Sequence, residues 1–187
     1  PAQVIPGKQR LQHSDTPLVF LSVGTSFLRK GFSYLVEAWK GIDPKKARLI
    51  IKGPLSEKCK NKLPLGVTHI PERLSQTDLN ALYASADVFC LPSIDEGFGM
   101  VVLEAMTSGL PVMVSRNVGA SDIITEGKDG FVFDIRSPAA IKILVEQFIN
   151  DTTLVSKMSG AALITAGKHD VQSYQKSMNS FYKTILD

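Results

Sequence analysis

Short apolar runs rich in β-branched residues alternate along the chain with segments of helical period, and this alternation predicts the fold class. The first run, 17–24, is apolar almost without interruption, as expected of a strand that is covered on both faces. Further strands are predicted at 47–53, 67–70, 87–93, 111–115 and 130–134. Strands separated by helices need crossover connections, so they should run parallel. The sequence therefore predicts an α/β fold, a doubly wound parallel sheet with helices on both faces.

The segments between these strands have the apolar spacing of amphipathic helices. In 32–39, Phe32, Leu35, Val36 and Trp39 recur at i, i+3, i+4 and i+7, which places them on one stripe. Further helices are predicted at 77–86, from about 100 to near Gly109, and at 138–149, 151–166 and 170–186. In sheets of this class ligands bind beyond the carboxyl ends of the strands, so functional residues are expected in the loops there.

Composition narrows the class of protein. The chain has 187 residues, 44% of them hydrophobic, which suits one domain with one core. A net charge of +3 without any strip of Lys and Arg argues against a nucleic-acid partner. The two cysteines and three histidines are scattered, so no metal site is expected, and no apolar run is long enough to span a membrane. We expect a soluble cytoplasmic domain, trimmed from a longer protein because it begins with Pro1 instead of Met.

The segment EGFGMVVLE, residues 96–104, carries the most chemistry. Gly97 and Gly99 allow close approach of the backbone to a ligand, and the free N–H groups at Phe98, Met100 and Val101 open a helix, where they form a seat for phosphate. Glu96 precedes this seat, and Glu104 lies inside the helix; both are suited to accept hydrogen bonds from sugar hydroxyls. Glu96 could instead only complement the helix dipole, and Glu104 could serve a structural hydrogen bond.

A second group of residues follows the first predicted strand. The strand ends at Gly24, and Arg29 and Lys30 stand just ahead of the amphipathic helix. Two cations at the carboxyl edge of a strand could bind a diphosphate, although an adjacent pair of this kind is more often solvated. Taken together, an anion seat, two cations and two carboxylates specify a ligand with a diphosphate between two polyols. A nucleotide sugar fits this description.

These blocks resemble glycosyltransferase family 4, the retaining enzymes of GT-B fold, and in particular their C-terminal donor-binding domain. The matching blocks are VIPG at 4–7, SVG with RKG at 22–31, ADVFCLPS at 86–93, EGFGMVVLEAMTSGLPV at 96–112 and DGFVF at 129–133. The spacing of the two glutamates, followed by EAMTSGLPV, is the most specific part. The resemblance implies that residues 1–187 form this Rossmann-like C-terminal half, and that the N-terminal acceptor domain is absent from the chain.

The resemblance also implies roles for the site residues. Glu96 would bind the donor sugar and help to position its anomeric centre, and Glu104 would bind the ribose. Arg29 and Lys30 would neutralise the leaving diphosphate, and the base would lie near Leu74. No metal or other cofactor is implied, and the expected partners are a nucleotide-sugar donor and the acceptor domain, through which alone a membrane would be approached. Thr25 and Glu72 depart from the family pattern, which has Arg and Gly at these places.

Two other functions fit the same residues. One is a nucleotide-sugar epimerase of the same fold, which would interconvert sugars and need no acceptor. The other is a binding or regulatory module that has kept the fold without catalysis. In either case, and in a transferase, the start of the helix after Ser93 and the basic turn at 29 and 30 must face a common crevice.

Overall fold

The structure, a computed structural model, describes residues 16–71 and 73–169 together with 178, 179, 182 and 184. The VIPG segment at 4–7, Glu72 and most of the predicted helix at 170–186 lie outside the described residues.

Among the described residues, six strands form one parallel sheet. The strands are β1 (Leu18–Val23), β2 (Ala47–Lys52), β3 (Val67–Ile70), β4 (Val88–Leu91), β5 (Val112–Ser115) and β6 (Gly130–Phe133). Their order across the sheet is β3-β2-β1-β4-β5-β6, and every neighbouring pair is parallel. The predicted doubly wound α/β fold is therefore confirmed.

Helices connect the strands on both faces of the sheet. They are α1 (Phe32–Ala38), α2 (Glu57–Lys60), α3 (Gln76–Ser85), α4 (Met100–Thr107), α5 (Pro138–Asn150) and α6 (Thr153–Lys168), with a 3-10 helix at Gly119–Ile123. The single turn α2 and the 3-10 helix were not predicted, because neither is long enough to show an apolar period. Ser56 caps α2 by accepting a hydrogen bond from the Cys59 N–H at 3.3 Å. Within the described residues, no helix is long and apolar enough to cross a membrane.

The sheet separates two hydrophobic cores, because successive side chains of a strand point to opposite faces. On one face Phe20 packs with Trp39, which directly follows α1, and with Phe148 of α5, and the ring centroids are 5.2 and 6.1 Å from that of Phe20. On the other face Leu21 and its neighbours pack against α3 and α4. Burying each of these large side chains contributes about 1.5–3 kcal/mol.

The strand order reverses between β1 and β4, which makes this the point where a crevice opens. The loops that leave these two strands run to opposite faces of the sheet, yet the end of the first loop touches the start of the second. Gly31 has φ of 66°, and a Cβ at this position would lie 2.0 Å from the Pro92 carbonyl oxygen. The Ile94 N–H also donates to the Arg29 carbonyl at 2.8 Å. The fold thus holds the two sequence-predicted ligand loops against each other.

Candidate functional site

A cleft of about 480 Å³ lies at the carboxyl ends of the strands, between the loop after β1 and the start of α4. Nine of the residues predicted from the sequence line it: Gly24, Arg29, Lys30, Glu96, Phe98, Gly99, Met100, Val101 and Glu104. The two loops therefore do face a common crevice. Gly97 and Leu74, which were also predicted, are not among the lining residues. Gly97 turns its backbone towards the 3-10 helix, and the half-buried Leu74 lies on the loop before α3.

The loop between β4 and α4 is held by backbone hydrogen bonds to the segment after β5. The Glu96 N–H donates to the Asn117 carbonyl at 3.1 Å, and the Gly97 and Phe98 carbonyls accept from the N–H groups of Gly119 and Ala120 at 2.7 and 2.8 Å. Because the backbone of this loop is bonded at three successive residues, the direction in which α4 begins is set before any ligand arrives.

Helix α4 begins at the cleft with a glycine in the left-handed conformation. Gly99 has φ of 84° and ψ of 61°, and a Cβ there would lie 2.9 Å from Val118 Cγ1. Both the conformation and the close packing favour glycine. The first N–H groups of a helix have no intrahelical acceptor and carry the positive end of the helix dipole. The lining residues Met100 and Val101 therefore present an electropositive backbone surface suited to a phosphate.

Lys30 crosses the cleft from the opposite side and is almost fully buried. The residue is 4% exposed, and its aliphatic stem lies over Gly24, where the absence of a side chain leaves the room. Arg29, beside it, has a side chain that is 42% exposed. The turn thus offers one buried and one accessible cation to the same cleft.

Glu96 joins these two cations in one ion cluster. Its Oε2 accepts from Lys30 Nζ at 2.6 Å and from Arg29 Nη1 at 2.7 Å. Partial burial acts to raise the pKa of Glu96, but the hydrogen bonds and charges of Lys30 and then Arg29 outweigh it and hold the pKa below its ordinary value. Glu96 is therefore an ionised acceptor at neutral pH, and it is already oriented by two contacts.

Glu104 has a partner that the sequence did not identify. Tyr83, on α3, donates its hydroxyl to Glu104 Oε2 at 2.9 Å. Tyr83 is buried, and burial, followed by the Glu104 charge and hydrogen bond, raises the pKa of the phenol far above its usual range. The phenol is thus a permanent donor. Since a carboxylate has two oxygens, this one bond leaves Glu104 with acceptor capacity at the cleft that it lines.

Four lining residues were not predicted as site residues: Val23, Lys52, Leu79 and Thr25, the last of which stood out only as a departure from the family pattern. Lys52 is the most informative, because it adds a third cation and has no ion-pair partner among the described residues. A signal for it existed. Lys52 is the last residue of β2, beside β1, and its carbonyl accepts from the Gly24 N–H at 2.9 Å. The same strand-end rule that selected Gly24 would have selected Lys52.

In the part of the chain that the structure describes, no group of three or more His, Cys, Asp or Glu side chains could hold a metal ion. Cys59 and Cys90 are free thiols.

Structures with the same fold are known from glycosyltransferases. The Anabaena protein HepE, in a complex with UDP-glucose, superposes with a TM-score of 0.76 at 21% identity, over 90% of this chain and 49% of that chain. The C-terminal domain of LpcC, a group 1 glycosyl transferase of Francisella tularensis, gives a TM-score of 0.72 at 19% identity, over 82% of this chain and 87% of that chain. The fold is thus that of GT-B glycosyltransferase domains.

Relatives found by sequence similarity are also glycosyltransferases. The sulfoquinovosyl transferase of Arabidopsis thaliana is 40% identical over 124 residues, which are 64% of this chain and 24% of the relative. An uncharacterized glycosyltransferase of Methanocaldococcus jannaschii is 35% identical over 147 residues, 73% of this chain and 37% of the relative. The chain spans less than two fifths of the length of these relatives.

The sequence profile of the family described as glycosyl transferases group 1 matches residues 6–164, which include both ligand loops and all six strands. The chain belongs to the group 1 glycosyltransferase family.

Proposed function

We propose that this chain is the donor-binding domain of a retaining glycosyltransferase of family 4, which transfers a hexose from a nucleoside-diphosphate sugar to an acceptor hydroxyl. One observation carries the proposal: a single cleft is lined by the amide-rich start of α4, by Arg29 and Lys30, and by Glu96 and Glu104. A diphosphate flanked by two polyols offers a complementary group to each of these elements. The family membership and the UDP-glucose bound to HepE support the same ligand class.

In this proposal each element of the cleft binds a different part of the donor. The start of α4 and the two cations face the diphosphate, Glu104 takes the ribose hydroxyls, and Glu96 takes hydroxyls of the sugar. The contact of Glu96 with both cations supports this division, because it would bring the sugar and the diphosphate to adjoining points of the cleft. Lys52 adds positive charge near β1 and β2.

Transfer then consists of one bond broken and one formed at the anomeric carbon. The bond from this carbon to the diphosphate oxygen breaks, and the acceptor oxygen bonds to the carbon on the same face. The acceptor proton passes to the departing phosphate oxygen. Glu96 is not assigned as a nucleophile: its Oε2 is bound to Lys30 and Arg29, and its other oxygen is assigned to the sugar hydroxyls that it orients. The cations and the helix end stabilise the charge that develops on the leaving group, so no metal or other cofactor is proposed.

The acceptor is proposed to bind a second domain. The chain covers 24% and 37% of the lengths of the two relatives described above, which leaves room in such proteins for another domain. We place the reaction between that domain and this one, in the cytoplasm, with any membrane contact made by the acceptor domain. On this basis residues 1–187 bind the donor but do not transfer the sugar.

Calorimetric titration of the 187-residue chain with UDP, GDP and ADP, and with their glucose conjugates, tests donor binding. We expect one nucleotide to bind weakly, because on this proposal the acceptor domain supplies the other half of the cleft, and Glu96→Ala to weaken the conjugate more than the diphosphate. Absence of binding by all six compounds would refute the proposal.

The intact protein separates transfer from the alternatives. Incubation with the donor alone should leave the sugar unchanged, whereas an epimerase would convert it. With an acceptor, product of retained anomeric configuration is expected by NMR, and Glu96→Ala should abolish it. A binding module would make no product in either case.

A further inference from the structure

Tyr83 connects the core of the domain to the cleft through one side chain. The residue is 1% exposed, and its ring packs against Phe89 of β4 with centroids 6.0 Å apart. Its hydroxyl ends 2.9 Å from Glu104 Oε2, and Glu104 lines the cleft. A buried phenol therefore points its only polar atom at a carboxylate of the candidate site.

This contact matters because a glutamate has three rotatable side-chain bonds and is otherwise poorly fixed. Ordering such a side chain costs conformational entropy, which a ligand must offset if the protein has not done so. The Tyr83 ring cannot move without disturbing the core around Phe89, so its hydroxyl is a stationary donor. Because burial raises the pKa of Tyr83 far above its usual range, the hydroxyl keeps its proton at neutral pH.

The same helix also forms part of the cleft wall. Leu79 lies one turn before Tyr83 on α3, on the same side of the helix, and lines the cleft. Helix α3 thus supplies an apolar surface beside Glu104 and the hydrogen bond that orients it. An apolar wall next to a fixed carboxylate suits a nucleoside, whose sugar edge offers two adjacent hydroxyls.

We propose that Tyr83 is a positioning residue for nucleotide recognition: by holding Glu104 Oε2 it orients the carboxylate to accept hydrogen bonds from the ribose diol of the donor. The inference rests on the proposed function, since it needs a nucleotide in this cleft. Tyr83 does not touch the ligand itself and acts through Glu104.

Tyr83→Phe is the sharp test, because it removes the hydroxyl and keeps the ring that packs in the core. Affinities are measured by calorimetry for UDP, GDP and ADP, and then for the 2′,3′-dideoxy form of whichever binds best. We expect the wild-type chain to prefer the ribonucleotide. In Tyr83→Phe the ribonucleotide should lose about tenfold in affinity, while the dideoxy form, which has no diol to recognise, keeps its affinity.

Two further variants complete the test. Tyr34→Phe removes a phenol on α1 that does not line the cleft and should leave the preference unchanged. Incorporation of 4-aminophenylalanine at position 83 restores a donor and should restore the preference. It also serves as the readout if Tyr83→Phe does not fold, which thermal unfolding would reveal.

The outcomes distinguish a failure of the proposed function from a failure of the role assigned to Tyr83. If no ribonucleotide binds the wild-type chain, the proposed function fails. If ribonucleotides bind and Tyr83→Phe weakens both sugar forms equally, or weakens neither, Tyr83 only packs in the core and the inference is overturned. Loss of the preference with 4-aminophenylalanine in place would overturn it as well.

Discussion

The side chain of Lys30 fills the space that a side chain on Gly24 would need. A Cβ on Gly24 would lie 2.6 Å from Lys30 Cγ and 2.9 Å from Lys30 Cδ, closer than van der Waals contact allows. The lysine stem can lie along the end of β1, and so reach Glu96, only because residue 24 has no side chain. The glycine therefore acts on the site through the position of a cation.

Gly24→Ala should displace Lys30 from Glu96 and lower the affinity for a nucleoside diphosphate by about tenfold. The neighbour is a flexible side chain, so the fold should survive. Affinity is measured by calorimetry, and folding by circular dichroism. Gly160→Ala is the matched control: it lies within α6, where the added Cβ would have no atom within 4 Å apart from its chain neighbours and the backbone of its own helix, and alanine should stabilise the helix by up to about 1 kcal/mol. Equal affinities for the two variants would contradict this account of Gly24.

Lys30→Met should remove a buried charge while keeping the stem that packs over Gly24. We expect diphosphate affinity to fall by about 10- to 100-fold, since a charge-assisted hydrogen bond is lost. The expected loss is smaller for a nucleoside monophosphate, which carries less charge. Lys128→Met, an exposed change at the opposite edge of the sheet before β6, should have no effect. If both variants bind equally well, Lys30 does not face the phosphates.

Lys52→Met tests the cation that only the structure revealed. Because Lys52 is partly exposed, its effect should be modest, about two- to fivefold at low salt, and should shrink as ionic strength rises. Calorimetry at 20 and at about 300 mM salt would measure both values. The exposed Lys58→Met on α2 is the control. A loss of affinity that is independent of salt would show that Lys52 acts by packing and not by charge.

Glu96→Gln should make the free energy of unfolding less dependent on pH in the acidic range. The pKa of Glu96 is lowered from 4.5 in the folded protein, so the ion cluster stabilises the fold above pH 4.5, and this contribution is lost as the pH falls through the lowered pKa. At pH 7 we expect Glu96→Gln to be less stable than wild type by about 1–3 kcal/mol, measured by urea unfolding.

The difference in the free energy of unfolding between Glu96→Gln and wild type should narrow as the pH falls below 4.5. Glu57→Gln, whose side chain is 79% exposed in a surface pair with Lys60, should stay within about 0.5 kcal/mol of wild type throughout. A gap between Glu96→Gln and wild type that stays constant down to pH 3 would mean that the charge of Glu96 is not what stabilises the loop pair.

Local pattern was sufficient for most of the fold. The apolar run before Gly24 and the stripe from Phe32 to Trp39 each report burial through the chain's own geometry, since side chains alternate on a strand and recur every 3.6 residues on a helix. The single turn Glu57–Lys60 was not predicted because four residues make only one turn, so no apolar spacing can repeat within it. Lys52 was not predicted because it belongs to no motif, and only its position as the last residue of β2, beside β1, marks it.

The pattern along the chain did not show which side chains are in contact with one another. The sequence identified Arg29, Lys30 and Glu96 as separate candidates for different parts of a ligand, but it could not show that one carboxylate oxygen accepts from both cations. Arg29 and Glu96 are 67 residues apart and come together because β1 and β4 are neighbours in the sheet. Likewise the sequence allowed Glu104 a structural hydrogen bond, and only the tertiary structure showed that its donor is Tyr83 of α3.

By itself, then, the sequence determined the elements, the class of sheet and the residue types of the site, because these depend on spacing along the chain. The tertiary structure decided the pairs: Lys30 with Glu96, and Tyr83 with Glu104. Such contacts depend on the order of the strands and the angle of each loop. They form between residues whose separation along the chain carries no information about their separation in space.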